Sequence, residues 1–379
     1  MGHANFIDTQ NLQIARENMG LDTITTSKKI TKSQDDVVKK FESGEKLPTW
    51  SQVERLAEVY NISPILLFSG TKITRNKEIP DYRVGASAKS IIAVHKLVNL
   101  VITRQKWLES RLKTEGTKEN FLQGSGRDMA TPKELANFIK KKLGVDHSFI
   151  KETSGTGARA RVLKYLIQSA EYKGIFVGKT ISYHRIEVED LRGLYISNKY
   201  CPYIVINRRD AKAAQIFSFV HELAHLFRKT DSISNSLDFR TVGNKSDDEE
   251  IFCNKVAAEF LLPEEDLVQN YYSVSDINSL SHTYKVSELT VFYRLKELRK
   301  LRVDDVDGLE MKLIRESKEA VRKMEEDNRK KDTPVGNYVN SMKDSNGSLF
   351  NNYVLRLYAD NDIGHVEAKN ILRFSPELV

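Results

Sequence analysis

The sequence predicts an α+β fold that is mostly helical, and three features carry that expectation. Apolar residues recur at helical spacing through most of the chain, the mark of amphipathic helices. Short runs rich in β-branched and aromatic residues are confined to positions 174–207, so the sheet is small. Between Ala211 and Arg228 neither proline nor glycine interrupts a run in which Phe217, Val220, Ala224 and Phe227 fall on one helical side. A chain of 379 residues, 40% hydrophobic and 29% charged, has the composition of a globular protein with two or three domains. The changes of pattern described below divide it at 1–71, 72–156, 157–300 and 301–379.

Residues 11–68 read as a small helical bundle. Asn11 to Met19 gives one helix ending at Gly20, and Ser33 to Phe41 a second. Pro48-Thr49 opens a third from Ser51 to Tyr60, whose Val53, Leu56, Ala57 and Tyr60 form the apolar face, and Ser63-Pro64 starts a last short turn. The string FESGEKLPTWSQVERLAEVYNIS, Phe41 to Ser63, resembles the second half of the XRE-type helix-turn-helix domains of phage-like repressors. That resemblance implies a helix lying in the major groove of DNA, with Gln34, Lys39 and Lys40 as its candidate contacts. Against it, Asp35 and Asp36 stand at the start of the same helix, where phosphates repel them, and Asp22 to Lys32 fits the family's second helix poorly. A protein-docking module is the rival reading.

The net charge of +7 is unevenly spread. Residues 1–71 hold eight Lys or Arg against nine Asp or Glu, and residues 72–173 hold twenty-one against ten. Clusters such as Lys140, Lys141 and Lys142 read as solvated helix faces rather than a phosphate track. After a linker over 72–90, a long helix from Ile91 to Lys113 carries a broad apolar stripe that includes Trp107. Thr131-Pro132 opens another, with Leu135, Phe138, Ile139 and Leu143 buried and Gly144 at its end. These helices supply packing.

Past a helix from Ala158 to Tyr172, three strands are expected: Gly174 to Gly178, Leu191 to Ser197 and Tyr203 to Asn207. The last two form a hairpin beside the following helix, offering a sheet edge on which an extended peptide could pair. That helix contains His221-Glu222-Leu223-Ala224-His225. Residues four apart share a face, so both imidazoles reach one ion and Glu222 falls beside a water on it. Zinc suits this set, which needs a third protein ligand and an open position; nitrogen and carboxylate donors also accommodate manganese. The polar stretch Lys229 to Asp248 reads as a loop, followed by a second helix, DDEEIFCNKVAAEFLLPEEDL, closed by Pro263. Small residues Ala257 and Ala258 let it approach its neighbour closely, with Glu250 at the end nearest the metal.

This order of elements resembles the ImmA/IrrE family of zinc metallopeptidases, in which the second helix carries a glutamate ligand in a pattern close to Glu-x-x-Ala-Asn-x-Phe-Ala-Ala-x-Leu-Leu-x-Pro. Here it stands as Glu250 to Pro263, with Cys253, Val256 and Phe260 at the variant positions. The resemblance implies a zincin-like metallopeptidase domain with a helical C-terminal region. Its metal ligands are His221, His225 and Glu250, with Glu222 as general base. Glu249 is the rival third ligand, one residue or about 100° away round the helix. Asn254 belongs to the shell behind the ligands, and Glu259 there or at the surface. Cys253 as a fourth ligand would close the site. Tyr195, Tyr203 and His282 are candidates to stabilise an oxyanion. His95, His147, His184 and His365 lack ligand spacing.

Similarity extends to the Ile79 to Arg83 stretch, to Lys285 to Leu298, which has the outline of a second helix-turn-helix, and to the segment from Gly336 onward. Asp304 to Asp332 reads as a solvated charged helix or spacer. The resemblance implies cleavage of a protein partner, a repressor or antitoxin-like helix-turn-helix protein. A toxin of a toxin-antitoxin pair, or a transcription regulator with a sensory peptidase-like domain, are the alternatives. Two cysteines, no signal-peptide core and no bilayer-length apolar run give the expectation of a reduced, cytoplasmic chain with no membrane partner.

Overall fold

Three aspartates start the first three helices. Asp8 caps α1 (Thr9–Asn18), Asp22 caps α2 (Thr23–Ile30) and Asp36 caps α3 (Val37–Glu42), each carboxylate accepting main-chain N–H bonds from the turn it opens. The computed structural model describes residues 7–31, 35–60, 62, 64–68, 88–180, 186–230, 232–234, 245–331 and 338–378. Two compact units result, Met1–Leu100 and Val101–Val379.

In the first unit, α1 to α3, α4 (Trp50–Tyr60) and a 3-10 turn at Pro64–Leu67 enclose a core that includes Leu12, Met19, Ile30, Val38, Phe41 and Leu56. Arg16 clamps Glu42 through two bonds, Nε to Oε1 at 2.7 Å and Nη2 to Oε2 at 2.9 Å, tying α1 to α3. Two expectations change here. The stretch after Asp22, a poor match by sequence to the second helix of XRE-type domains, is helical because its cap and Ile30 outweigh its β-branched threonines. Asp36 is not turned to solvent as a repulsive charge. Besides capping α3, it accepts from Thr23 Oγ1 at 2.6 Å and Ser27 Oγ at 3.2 Å, joining α2 to α3. Gln34 and the Ile79 to Arg83 stretch lie outside the described residues.

The second unit is built on a four-stranded mixed sheet. β1 (Phe176–Lys179), β2 (Gly193–Ile196), β3 (Tyr203–Ile206) and β4 (Ser232–Ser234) lie in the order β1-β3-β2-β4. β1 is parallel to β3, and β2 is antiparallel to both β3 and β4. The hairpin forms as expected, but β4, from the stretch read as loop, pairs along β2. The hairpin therefore offers no free edge there, and β4 is outermost among the described strands.

Helix α9 (Lys212–Arg228) packs over this sheet, and α10 (Lys245–Leu261), of equal length, packs against α9. Every residue of α9 from Ala213 to Phe227 is buried, which explains its near-continuous apolar sequence. One side rests on β2 and β3; the others meet α8 (Ala158–Glu171), α6 (Pro132–Leu143) and α10. Cys253, Ala257 and Ala258 are fully or nearly buried on α10, small side chains where it packs against α9. Further round, α7 (His147–Glu152), α11 (Val274–Tyr284) and α12 (Glu288–Glu297) complete the core through Ile150, Ile277, Val291, Phe292 and Leu295.

Helix α13 (Val306–Lys331) is more than a spacer. Leu313 is buried, and Glu310, 2% exposed, accepts from Tyr293 Oη and Lys296 Nζ of α12 at 2.9 and 2.8 Å. Glu259, expected behind the ligands or at the surface, is buried and ion-paired with Arg294 of α12. α5 (Ala88–Thr114) gives Ile92 to the first core, while its later residues serve the second unit. There α14 (Tyr338–Asn346), α15 (Ser348–Ala359) and α16 (His365–Leu372) pack by β1 around Asn346. This buried side-chain amide accepts from Arg104 and donates to Asn351 Oδ1 and Leu372 O at 2.9 and 3.0 Å, while the main-chain carbonyl of Asn346 accepts from Tyr203 Oη at 2.6 Å. At Gly347 (φ +84°) a Cβ would fall 1.8 Å from Val177 O, so glycine alone lets this turn approach β1. No helix among the described residues is long and apolar enough to cross a membrane.

Replacing Asn346 by Ala leaves Arg104, the Asn351 side-chain amide and the Leu372 carbonyl without their buried partner. The expected loss is about 2–3 kcal/mol in the unfolding of the second unit, read by denaturant titration followed by circular dichroism.

Candidate metal centre

The helical spacing of His221 and His225 places both imidazoles on the α9 face turned to α10, where Glu250 meets them. His221 Nε2 and His225 Nε2 lie 2.9 Å apart. The two oxygens of Glu250 are 3.1 Å from His221 Nε2 and 3.2 Å from His225 Nε2. Three ligand atoms held about 2.0–2.1 Å from one tetrahedral ion stand roughly 3.3 Å apart, so this triangle matches a zinc-sized centre. The donor set of two neutral imidazoles and a carboxylate fits zinc chemistry as well.

Electrostatics inside the triangle follow from burial and proximity. Burial opposes ionisation of Glu250, but hydrogen bonds and charge from the two histidines overcome it and hold the carboxyl well below its usual range. His221 is 2% exposed; burial works against its protonation, and the Glu250 contact and the charges of Glu222 and Glu250 raise its pKa regardless. The same three groups would find in a cation what they now find in one another.

Groups behind the triangle set the imidazoles. α9 ends at Lys229 in the left-handed region (φ +58°), and the chain turns back so that Thr230 N donates to His225 O at 3.0 Å. That turn brings Thr230 Oγ1 to 2.8 Å from His225 Nδ1. With a proton on Nδ1, the Nε2 lone pair faces the triangle. On the other ring, His221 Nδ1 and Asn254 Oδ1 are both buried and neither has a hydrogen-bond partner among the described residues, while an Asn254 interaction contributes to the raised His221 pKa.

The register of α10 separates the two candidate glutamates. Glu249 turns away from the imidazoles and clamps Arg228, at the end of α9, through bonds of 2.7 and 3.0 Å. Arg228 also stacks on Phe252 at 4.6 Å and donates to the Arg127 and Met129 carbonyls. This bidentate pair fixes how α10 meets α9 and leaves Glu250 for the triangle. Cys253 stays outside it. Its thiol is buried and its pKa is pushed up, by burial first and then by Glu249, Glu250 and Glu222, which disfavours the thiolate a metal needs.

Glu222 is fully buried beside the triangle, and strand β2 makes room for it. A Cβ at Gly193 would fall 2.5 Å from Glu222 Oε1 and 2.9 Å from its Cγ. Gly193 pairs with Ile206 on one side and Ser234 on the other, so the strand cannot easily shift away. None of the three oxyanion candidates is free at the triangle. Tyr195 Oη donates to Gln123 Oε1 at 2.8 Å and Tyr203 Oη to Asn346 O. His282 lines a cavity at the opposite end of α9, beside Ala211 and Ala213. Thr230, Gly193 and Arg228 escaped the sequence reading. A glycine inside a strand is the one signal that pointed to a close approach.

Residues 177–296 match the family model described as the IrrE N-terminal-like domain, a peptidase family named Peptidase_M78. The matched span runs from β1 to α12 and contains His221, Glu222, His225 and Glu250. The match supports a metallopeptidase of the IrrE/ImmA type for this part of the chain. Comparison with curated proteins returns no match.

Gly193→Ala is expected to displace Glu222 or open the β2–β4 pairing. Overpacking of this kind costs about 1–3 kcal/mol, seen as a lowered midpoint of thermal unfolding; an unchanged midpoint would show that the carboxylate has room to move.

Proposed function

We propose that this chain, whose residues 177–296 fit a metallopeptidase family model, is a zinc-dependent endopeptidase acting on a protein partner. The observation that carries the reading is the triangle of His221, His225 and Glu250 with buried Glu222 beside it. His221 Nε2, His225 Nε2 and one Glu250 oxygen would hold the ion, with zinc favoured and manganese compatible with the same donors. When bound, such an ion supplies Lewis acidity toward a peptide carbonyl and acidifies water.

The protein's own groups do the rest. Glu222 takes the proton of the attacking water on its carboxylate and returns it to the leaving amide nitrogen. Thr230 and Asn254 hold the imidazole tautomers, which keeps the Nε2 lone pairs directed inward. The Arg228–Glu249 clamp keeps Glu250 in register. The outer strand β4 lies next to β2, the strand that borders Glu222, and main-chain pairing along it is a route by which an extended peptide could be presented. The proposed substrate is a helix-turn-helix repressor or a related regulatory protein, and the proposed site of action is inside the cell.

A second reading, a regulator that binds DNA through its N-terminal unit, gains support from one observation. Lys39 and Lys40 are exposed on α3, while Asp36, still a charged carboxylate, is turned to Thr23 and Ser27 of α2.

Elemental analysis and a cleavage assay against the nearest encoded XRE-like protein separate these readings. Wild type and Glu222→Gln are expected to carry one zinc per chain, and Glu250→Gln to lose it. Glu222→Gln should lower cleavage by about 10²–10⁴-fold. No metal in the wild type would remove the enzyme reading and leave the regulator. Separately, Thr230→Val and Asn254→Ala are each expected to weaken zinc about 10–100-fold in a competition titration with a chelator; affinities equal to wild type would deny them any part in orienting the rings.

A further inference from the structure

At the N-terminal end of α9, away from the histidines, lies a cavity of about 710 Å³. Its charged lining residues are Lys151, Arg159, Lys212 and Lys285, and no carboxylate lines it. Lys151 has a partner, Asp266 at 3.2 Å. Arg159 and Lys285 do not: the first donates to Val286 O at 3.3 Å, the second to the carbonyls of Thr283 and Lys151 at 2.6 and 3.3 Å. Lys285 is only 4% exposed. Its ammonium is therefore a buried charge solvated by main-chain carbonyls, with no counter-charge among the described residues, an arrangement that is costly unless an anion completes it. Burial, then the neighbouring Arg159 charge, push its pKa down.

Two helix N-termini open on this space. α8 starts after Gly157 and α9 after Ala211, and neither has a side-chain cap. The main-chain N–H groups of Arg159, Ala160, Lys212 and Ala213 have no acceptor among the described residues. Unpaired N–H groups and the positive ends of two helix dipoles thus add to the side-chain charge.

An adjoining cavity of about 340 Å³ shares Arg159, Ala211, Ala213 and His282 with the first. Its walls include Leu289, Leu313 and Val321. The carboxylates there are engaged: Asp210 with Arg192 at 2.7 Å, Glu288 with Asn278 at 2.6 Å and Glu316 with Lys312 at 3.9 Å. A basic lobe joined to a more apolar one, each in the size range of small-molecule sites at about 300–1,000 Å³, suits an anion with an organic part.

We propose that this double cavity binds a small phosphate-bearing molecule. Its phosphoryl oxygens lie among Arg159, Lys212, Lys285 and the two helix N-termini, and any organic part lies against Leu289, Leu313 and Val321. Phosphate offers several acceptors to converging N–H and cationic donors at once, which a single carboxylate side chain of a peptide does not. The proposal stands apart from the peptidase reading, since none of these residues belongs to the metal triangle.

Calorimetric titration of the full chain with inorganic phosphate, pyrophosphate and ADP, both zinc-loaded and metal-stripped, tests it. Saturable one-to-one binding of pyrophosphate or ADP is expected in both forms, so loss of the metal reading would leave this result intact. Tighter binding of ADP identifies a nucleotide-like occupant, and equal affinities a free phosphoryl anion. The double variant Arg159→Gln and Lys212→Gln alters one half-buried and one exposed side chain. It should weaken binding at least tenfold without moving the thermal midpoint of the ligand-free protein. Absence of saturable binding by all three probes, affinity unchanged in the double variant, or binding of a polyglutamate peptide in place of the phosphate probes would each overturn the proposal.

Discussion

The contact between Glu250 on α10 and two imidazoles on α9 is the constraint on which the second unit turns. A carboxylate 3.1 and 3.2 Å from two buried ring nitrogens is possible only if the two helices meet closely and in one register. Small residues at Cys253, Ala257 and Ala258 give the closeness, and the Arg228–Glu249 clamp gives the register. A slip of one residue along α10 would swing the carboxylate about 100° and exchange the roles of Glu249 and Glu250. Packing and electrostatics thus select the same alignment.

The sheet serves this pair of helices from the other side. Gly193 removes a side chain where Glu222 must lie, and β4 pins β2 against moving aside. The turn after α9 returns Thr230 to the ring of His225, so the end of the helix is also part of the support for its own histidine. The helical C-terminal region reaches the same sheet through Asn346, whose side-chain amide joins α5, α15 and α16 and whose main-chain carbonyl accepts from the strand residue Tyr203. Buried polar networks of this kind fix geometry when every member is satisfied.

Much of this was legible in the sequence because it rests on local periodicity. The HExxH spacing, the apolar run of α9 and the small residues of α10 each follow from the 3.6-residue repeat, and the Gly-rich and β-branched segments located β1, β2 and β3. The choice of Glu250 over Glu249 came from a family resemblance, and the structure supplies its physical reason in Arg228. What stayed hidden depends on pairing between distant segments. β4 is three residues, Ser-Ile-Ser, within a polar stretch, and they form a strand because β2 is there to receive them. Helix α2 carries three threonines and forms because Asp22 and Asp36 bind it at both ends of the turn. The ion-pair partner of Glu259 was hidden, since Arg294 lies 35 positions along the chain.

X-ray absorption at the zinc edge of the metal-loaded protein tests the central claim most directly, because it counts the atoms around the ion by element and distance. The account predicts two imidazole nitrogens and carboxylate oxygen at about 2.0–2.2 Å, with no sulfur. A sulfur shell at about 2.3 Å would place Cys253 on the metal and contradict the assignment of Glu250 and of an open position for chemistry.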